Sequence, residues 1–499
     1  MSTRNDAMAM SLTLGTLDAI SARAAVPSYR RADLSAGIVH FGIGNFHRAH
    51  QAVYLDALLN LGQDRDWGLI GAGVTAYDSA MRDRLKPQDW LTTVVEQDVG
   101  RTAAHVTGAM IGFLDPQDRA ATIAALADPA IRIVSLTITE GGYFLHPASG
   151  AFDPGHPAIV ADGSSPDDPK TVFGIIVAGL KRRRAAGLVP FTVLSCDNIP
   201  GNGHVTQATV AGLARLSDPG FADWILAHVA FPNSMVDRIT PATGPREIDH
   251  CRETFGIADA SPVYCEEFRQ WVLEDHFTAG RPALEKVGVT FVPDVAPYEL
   301  MKIRILNGGH AAIAYPGELL DIRFVHEAME DPEIGAFLAR LEREEIIPSV
   351  PPVPDTDLQA YFRQVQTRFL NPKVADTIPR LARDGSDRQP KFIIPVAADR
   401  LKAGRSVDGL ALVSALWCRH CFGTTDSGRQ VPPNDTSWDA LQARAKAAKT
   451  DPQAWISMAD IYGDVGTSEA FATAFADSLR SLWDIGTRAT LARYAGGGL

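Results

Sequence analysis

Gly37-Ile38-Val39-His40-Phe41-Gly42-Ile43-Gly44-Asn45-Phe46-His47 is the stretch that decides the fold of this 499-residue chain. Apolar and β-branched residues run into a glycine turn. From about His47 to Leu61 the apolar residues Tyr54, Leu55, Leu58 and Leu59 then recur at helical spacing. Strand, tight turn and helix in that order open a nucleotide-binding βα unit. The turn must be free of side chains, and the helix start beyond it offers amide donors and partial positive charge to a phosphate. The third glycine of the usual fingerprint is missing, with Phe46 or His47 in its place. An ordinary glycine turn has the same sequence, so the rest of the chain must arbitrate.

Working outward, residues 67–71, 131–139 and 191–195 read as further buried strands. Helical runs at 118–127 and 171–184 lie between strands, and another at 205–215 follows the last. Strands alternating with helices predict an α/β fold with a doubly wound, Rossmann-like parallel sheet. After the apolar run 289–292 the periodicity becomes helical, at 300–319, 332–346, 358–369, 407–422, 438–448 and 468–484. The expected organisation is therefore a dinucleotide-binding domain over 1–290 and a mainly α-helical substrate and catalytic domain over 291–499. The proline-rich run 347–354 is expected to be an extended strap inside the second domain.

Composition removes several function classes. A formal net charge of −12 lacks the basic footprint of a nucleic-acid binder. Lys181-Arg182-Arg183-Arg184 follows an apolar run and reads as the last turn of a helix, where cations suit the dipole. Cys196, Cys251, Cys265, Cys418 and Cys421 are too few and too scattered for a disulfide framework. Cys418-x-x-Cys421 lies in an apolar helical run and reads as two buried thiols, not as a metal or redox pair. Arg4, Asp6 and Asp18 interrupt the weak apolar run 7–17, a poor signal peptide, and no run is long enough to span a bilayer. The expectation is a cytoplasmic protein with no membrane or nucleic-acid partner, a monomer or weak oligomer.

Three places offer chemistry. Asp78, shortly after the second strand, is positioned to accept from ribose hydroxyls, which favours NAD; Asp64 and Asp66 precede that strand and read as loop residues. Asp197-Asn198 and Glu140 follow predicted strand ends, where ligands sit in open α/β sheets, although turns use the same residues. Lys302, His310 and Asn307 fall at roughly 0°, 80° and 140° on a helix wheel and share a broad face. A desolvated lysine near Arg304 can act as a general base, with Asn307 stabilising the reacting oxygen and His310 holding a hydroxyl. An amphipathic helix with a snorkelling lysine accounts for the same residues, and taken alone they leave both readings open.

Four motifs occur in order: Gly42-Ile-Gly-Asn-Phe-His-Arg-Ala-His-Gln51, Leu136-Thr-Ile-Thr-Glu-Gly-Gly142, Ser195-Cys-Asp-Asn-Ile-Pro200, and Lys302-x4-Asn307-x2-His310. From about Ala36 to the C-terminal region the chain resembles the polyol-specific long-chain dehydrogenases, most closely their mannitol-oxidising branch. The resemblance implies NAD-dependent interconversion of D-mannitol and D-fructose without a metal, with D-arabinitol and D-sorbitol as further substrates. It implies Lys302 as catalytic base, Asn198 and Asn307 as the pair polarising the reacting oxygen, His310 as a positioning group and Glu140 as an aid to proton exchange with solvent. It further implies Asp237, Arg383 and Lys391 as polyol contacts, and Gly42, Gly44, Phe46 and Asp78 as cofactor contacts. Lys302 and Asn307 would then act together with Asn198 of the first domain. Two residues depart from the pattern. Tyr77 stands where a second acid is expected before Asp78, weakening discrimination against NADP. Arg304 puts a cation inside the catalytic motif, which keeps a hexuronate reductase as an alternative; a non-catalytic NAD-binding sensor is a more distant one.

Overall fold

Five strands, β1 (Ala36–Phe41), β2 (Gly68–Ala72), β3 (Met110–Phe113), β4 (Ile133–Leu136) and β5 (Thr192–Ser195), form one sheet in the order β3-β2-β1-β4-β5, every pair parallel. This computed structural model describes residues 9–146 and 150–498, so Arg4 and Asp6 lie outside the described residues. Successive side chains of a strand point to opposite faces. Val39 and Phe41 therefore join one core with Ile123, Phe173, Ile176 and Val210. Ile38 joins the other with Leu55, Leu58, Leu69 and Met81. Helices Arg119–Ala127, Val172–Ala185 and Asn202–Ser217 supply the first core; helices Gln51–Asn60 and Ala76–Leu85 supply the second. Each buried Val, Leu, Ile or Phe side chain contributes about 1.5–3 kcal/mol, and coverage on both faces is what a doubly wound sheet requires.

The register decides where chemistry can sit. Ala72, Phe41, Leu136 and Ser195 are paired in one row across β2, β1, β4 and β5. The segments that follow them therefore leave the sheet along a single edge, at its strand C-termini. Sequence reading passed over β3 because a four-residue strand carrying Gly112 has no measurable alternation. It also passed over the antiparallel pair Thr92–Asp98 and Arg101–Thr107, which Val263–Glu266 extends into a second sheet. A third sheet joins Thr290–Val292, Gln270–Glu274 and Ser234–Asp237. Of the basic run, Arg183 is buried and gives its guanidinium to backbone carbonyls including Leu126 (2.8 Å) and Val189 (2.6 Å).

The chain divides into two units, Met1–Ala296 and Pro297–Leu499. The second is helical, with helices Ala296–Met301, Gly308–Leu319, Pro332–Leu341, Leu358–Phe369, Ile394–Lys402, Asp408–Cys421, Trp438–Ala448 and Glu469–Ala495, the last kinked at Gly486. π-turns widen two of the expected helical stretches, at Lys302–Asn307 and Glu342–Ile346, and a third lies outside them, at Gln389–Ile393. The proline-rich strap begins as a 3-10 turn, Ile347–Ser349. All five cysteines are free and buried, and burial raises the Cys418 and Cys421 thiols well above their usual range. Among the described residues no helix is long and apolar enough to cross a membrane.

Candidate active site

The glycine loop leaves β1 at the level edge of the sheet. Gly42 has φ +94°, and a Cβ there would lie 2.0 Å from the Thr137 carbonyl oxygen, so only glycine fits between β1 and β4. Gly44 has nothing within 4 Å of where its Cβ would stand, leaving the backbone there open to a ligand. The helix Asn45–Ala49 begins at once, and Arg48 reaches back to donate to the Gly44 carbonyl at 3.3 Å and to Asn45 Oδ1 at 2.8 Å. Phe46 stacks on His50, and His47 stacks on His40 with ring centroids 3.6 Å apart. Burial drives His40 and His50 down to about 3 and His47 well below its ordinary range, so all three imidazoles are neutral behind the loop.

Asp78 stands in the third position of helix Ala76–Leu85. Its Oδ2 accepts from Val74 N (3.0 Å), Thr75 N (2.9 Å) and Thr75 Oγ1 (2.6 Å), a capping box whose signal, Thr75-x-x-Asp78, is legible in sequence. None of these bonds uses Oδ1. The carboxylate rests against Gly73, where a Cβ would lie 2.1 Å from its Cγ. Tyr77 beside it is exposed.

The same edge carries the β4 and β5 candidates. Asp197 is buried and clamps the β4 end: its oxygens accept from Ile138 N (3.0 Å), Thr139 N (2.8 Å) and Tyr143 OH (2.7 Å). Burial raises its carboxyl, while those bonds pull it back down. Asn198, next in the chain, is exposed, as is Glu140, which opens a 3-10 turn after Thr139. Thr139 has φ +64° and ψ 164°, a region close to glycine-only, so the clamp holds a strained backbone immediately before Glu140. Asp237 ends its strand and is buried.

In the second unit the π-turn alters the geometry of the catalytic segment. Backbone bonds in a π-turn run from i to i+5, so Lys302 and Asn307 stand one turn apart on one side, whereas an α-helix would rotate them well apart. Lys302 and His310 are buried and Asn307 is half-buried. The His310 ring stacks on Phe369 at 4.1 Å, and Nε2 has no hydrogen-bond partner among the described residues. Burial lowers its pKa to about 3, Asp376 acting in the opposite sense, and the ring is neutral at physiological pH. Arg304 is buried and its guanidinium is engaged by Asp399 and by the Ser349 carbonyl. A Cβ on Gly308 would stand 3.8 Å from both the Ile346 side chain and the Phe392 carbonyl, so all three π-turns meet there. Lys391 lies in the third of them, exposed and ion-paired to Asp387 at 2.7 Å; Arg383 is also exposed.

Residue by residue, Gly42, Gly44, Phe46, Asp78, Asn198, Glu140 and Asp237 belong to the first unit, and Lys302, Asn307, His310, Arg383 and Lys391 to the second. Sequence reading missed Arg48, a buried cation behind the glycine loop, and the Asp197 clamp on Thr139. It also missed the π-turns, for which no residue pattern exists.

Two family models match the chain, the mannitol dehydrogenase Rossmann domain over residues 36–286 and the mannitol dehydrogenase C-terminal domain over residues 294–483. A mannitol 2-dehydrogenase of Cereibacter sphaeroides is 59% identical over 469 residues, covering 94% of this chain and 98% of the relative. A mannitol 2-dehydrogenase of Pyricularia oryzae is 40% identical over 476 residues, covering 94% and 95%. Among solved structures, the Pseudomonas fluorescens mannitol 2-dehydrogenase ternary complex with NAD and D-mannitol superposes with a TM-score of 0.86 at 42% identity, covering 98% of this chain and 100% of that one. A D-sorbitol dehydrogenase in substrate-free form gives a TM-score of 0.88 at 35% identity, covering 96% and 100%.

Proposed function

The chain belongs to the mannitol dehydrogenase family, and on that premise we propose that it is an NAD-dependent polyol dehydrogenase oxidising D-mannitol to D-fructose, and the reverse, with Lys302 as base. The supporting observation is the π-turn, which sets a buried lysine and an amide one turn apart beside a neutral imidazole. The glycine loop fits a dinucleotide through the open backbone at Gly44 and the Oδ1 atom of Asp78. Held there, a nicotinamide dinucleotide would supply the acceptor for the hydride of the carbinol carbon.

The chain's own residues move the proton and hold the substrate. Lys302 Nζ accepts the substrate hydroxyl proton as general base. Asn198 and Asn307 donate amide N–H bonds to the oxygen as negative charge builds, the work a metal does elsewhere. Neutral His310 can accept from or donate to a substrate hydroxyl through its unpartnered Nε2. Glu140, exposed at the strand edge, passes the proton to solvent. Asp237, Arg383 and Lys391 hold the remaining hydroxyls.

The D-sorbitol dehydrogenase likeness keeps D-sorbitol, along with D-arabinitol, as a further substrate. Arg304 bears on the hexuronate alternative. Its guanidinium already has Asp399 and a backbone carbonyl as partners, so recognising a substrate carboxylate would require breaking an existing ion pair. Turnover is tested with mannitol, arabinitol, sorbitol and fructuronate, using NAD and NADP, on the wild type and Lys302→Met. Mannitol with NAD should be the best pair, untouched by EDTA, and the variant should lose roughly 10²–10⁴-fold in kcat with unchanged NAD affinity. Variant activity within tenfold of wild type, or a faster rate on fructuronate, would reject this reading.

A further inference from the structure

Arg48 is only 2% exposed, and each of its hydrogen-bond acceptors is neutral. Nε donates to the Gly44 carbonyl at 3.3 Å; Nη2 donates to Asn45 Oδ1 at 2.8 Å and Ser261 Oγ at 3.3 Å; Nη1 donates to the Ser261 carbonyl. Among the described residues no carboxylate forms an ion pair with it. Asp259 acts on it only from farther away. The Asp259 carboxylate is already engaged by Gln88 Nε2 (2.9 Å), Thr93 N (2.6 Å) and Ser261 N (2.7 Å), and Arg84 adds like charge. Burial lowers the guanidinium to about 10, so it stays charged at neutral pH. A buried cation whose nearest opposing charge, Asp259, lies beyond ion-pair distance keeps much of its desolvation cost. Were Arg48 only a tie between the 42–45 loop and Ser261, a neutral amide could make such a tie with fewer bonds and without that cost.

We propose that Arg48 is the built-in counter-charge for the diphosphate of the dinucleotide, acting through the glycine loop that its guanidinium holds. This rests on the dinucleotide-binding reading of that loop and adds a positioning residue that touches the loop and not the ligand. Charge and shape are joined in one side chain: Nε fixes the Gly44 carbonyl, and Nη2 fixes the Asn45 side chain, which also donates to Thr243 Oγ1 at 3.0 Å. The loop is thereby held in one conformation and made electropositive from behind, where water cannot screen the charge.

Calorimetric titration of the full chain with NAD, ADP-ribose and adenosine separates charge from structure, because adenosine lacks the phosphates. Arg48→Gln should weaken NAD and ADP-ribose about tenfold or more and adenosine less than about threefold. Arg48→Lys, which keeps the charge and loses the fork, should keep the NAD-to-adenosine affinity ratio within about threefold of wild type. Equal losses for NAD and adenosine in Arg48→Gln, or no loss, would overturn the proposal. If Arg48→Gln fails to fold, a collapsed ratio in Arg48→Lys overturns it and a retained one supports it. A wild-type chain that binds no NAD would instead refute the dinucleotide reading itself.

Discussion

Acidification should unfold the first unit through the histidines behind its cofactor loop. His40 and His50 sit at about 3 and His47 is lowered well below its ordinary value, all three by burial, while an unfolded histidine titrates near 6.5. The folded state therefore resists the proton that the unfolded state takes up. The stability these residues contribute is complete above pH 6.5 and is lost as pH falls from there towards 3. From pH 7 to pH 5 His40 and His50 each cross about 1.5 units of that window, at about 1.4 kcal/mol per unit, for a loss of about 2 kcal/mol each, and His47 acts in the same direction. Asp56 opposes them. Burial raises it to about 6, so its contribution grows on acidification, by about 1 kcal/mol over the same range. The net loss from His40, His50 and Asp56 is roughly 3 kcal/mol, to which His47 adds, a large share of a typical domain stability. Urea unfolding followed by tryptophan fluorescence at pH 7, 6 and 5 should show the midpoint falling with pH and a net uptake of about one proton or more on unfolding. Saturating NAD should offset part of the fall. A midpoint flat to within 1 kcal/mol between pH 7 and 5 would refute the reasoning.

Three further outcomes are expected. Gly42→Ala would drive its Cβ into the Thr137 carbonyl at a positive φ, costing about 2–4 kcal/mol in urea unfolding and weakening NAD binding at least tenfold. Thr139→Gly should relieve the strained backbone and raise the thermal midpoint by roughly 2–4 °C, for about 1 kcal/mol gained; a lowered midpoint would mean that Thr139 is not strained. Asp399→Asn should strand the Arg304 guanidinium, destabilise the second unit by about 1–2 kcal/mol, and lower kcat for mannitol without conferring activity on fructuronate.

The α/β doubly wound reading is borne out, and the reason is local. β1, β2, β4 and β5 are continuous apolar runs, which the burial of a parallel sheet on both faces requires and which sequence displays directly. What sequence withholds is order and level. Nothing in residues 36–41 or 192–195 says that their ends share a row, and that row is what gathers Gly42, Glu140 and Asn198 at one edge. Asp78 was legible as an acid after the second strand, and Thr75-x-x-Asp78 as a capping-box signal, but not the packing of that carboxylate against Gly73. Arg48 was legible as a residue and illegible as a buried charge, because its acceptors come from Ser261, far along the chain. The helix wheel left Lys302 and Asn307 at the margins of one face, since it assumes 3.6 residues per turn throughout.

The widened turn at Lys302–Asn307 makes the active segment sensitive to length as well as to composition. A π-turn is an α-helix with one residue too many, closed only because its neighbours accept the bulge. Excising a single residue between Lys302 and Asn307 would restore ordinary helical winding and swing the amide to another side, with every reactive group still present. Scanning by substitution would pass over such a defect entirely. A library of one-residue deletions and insertions through 303–306 would expose it, as full-length, folded protein that has lost turnover.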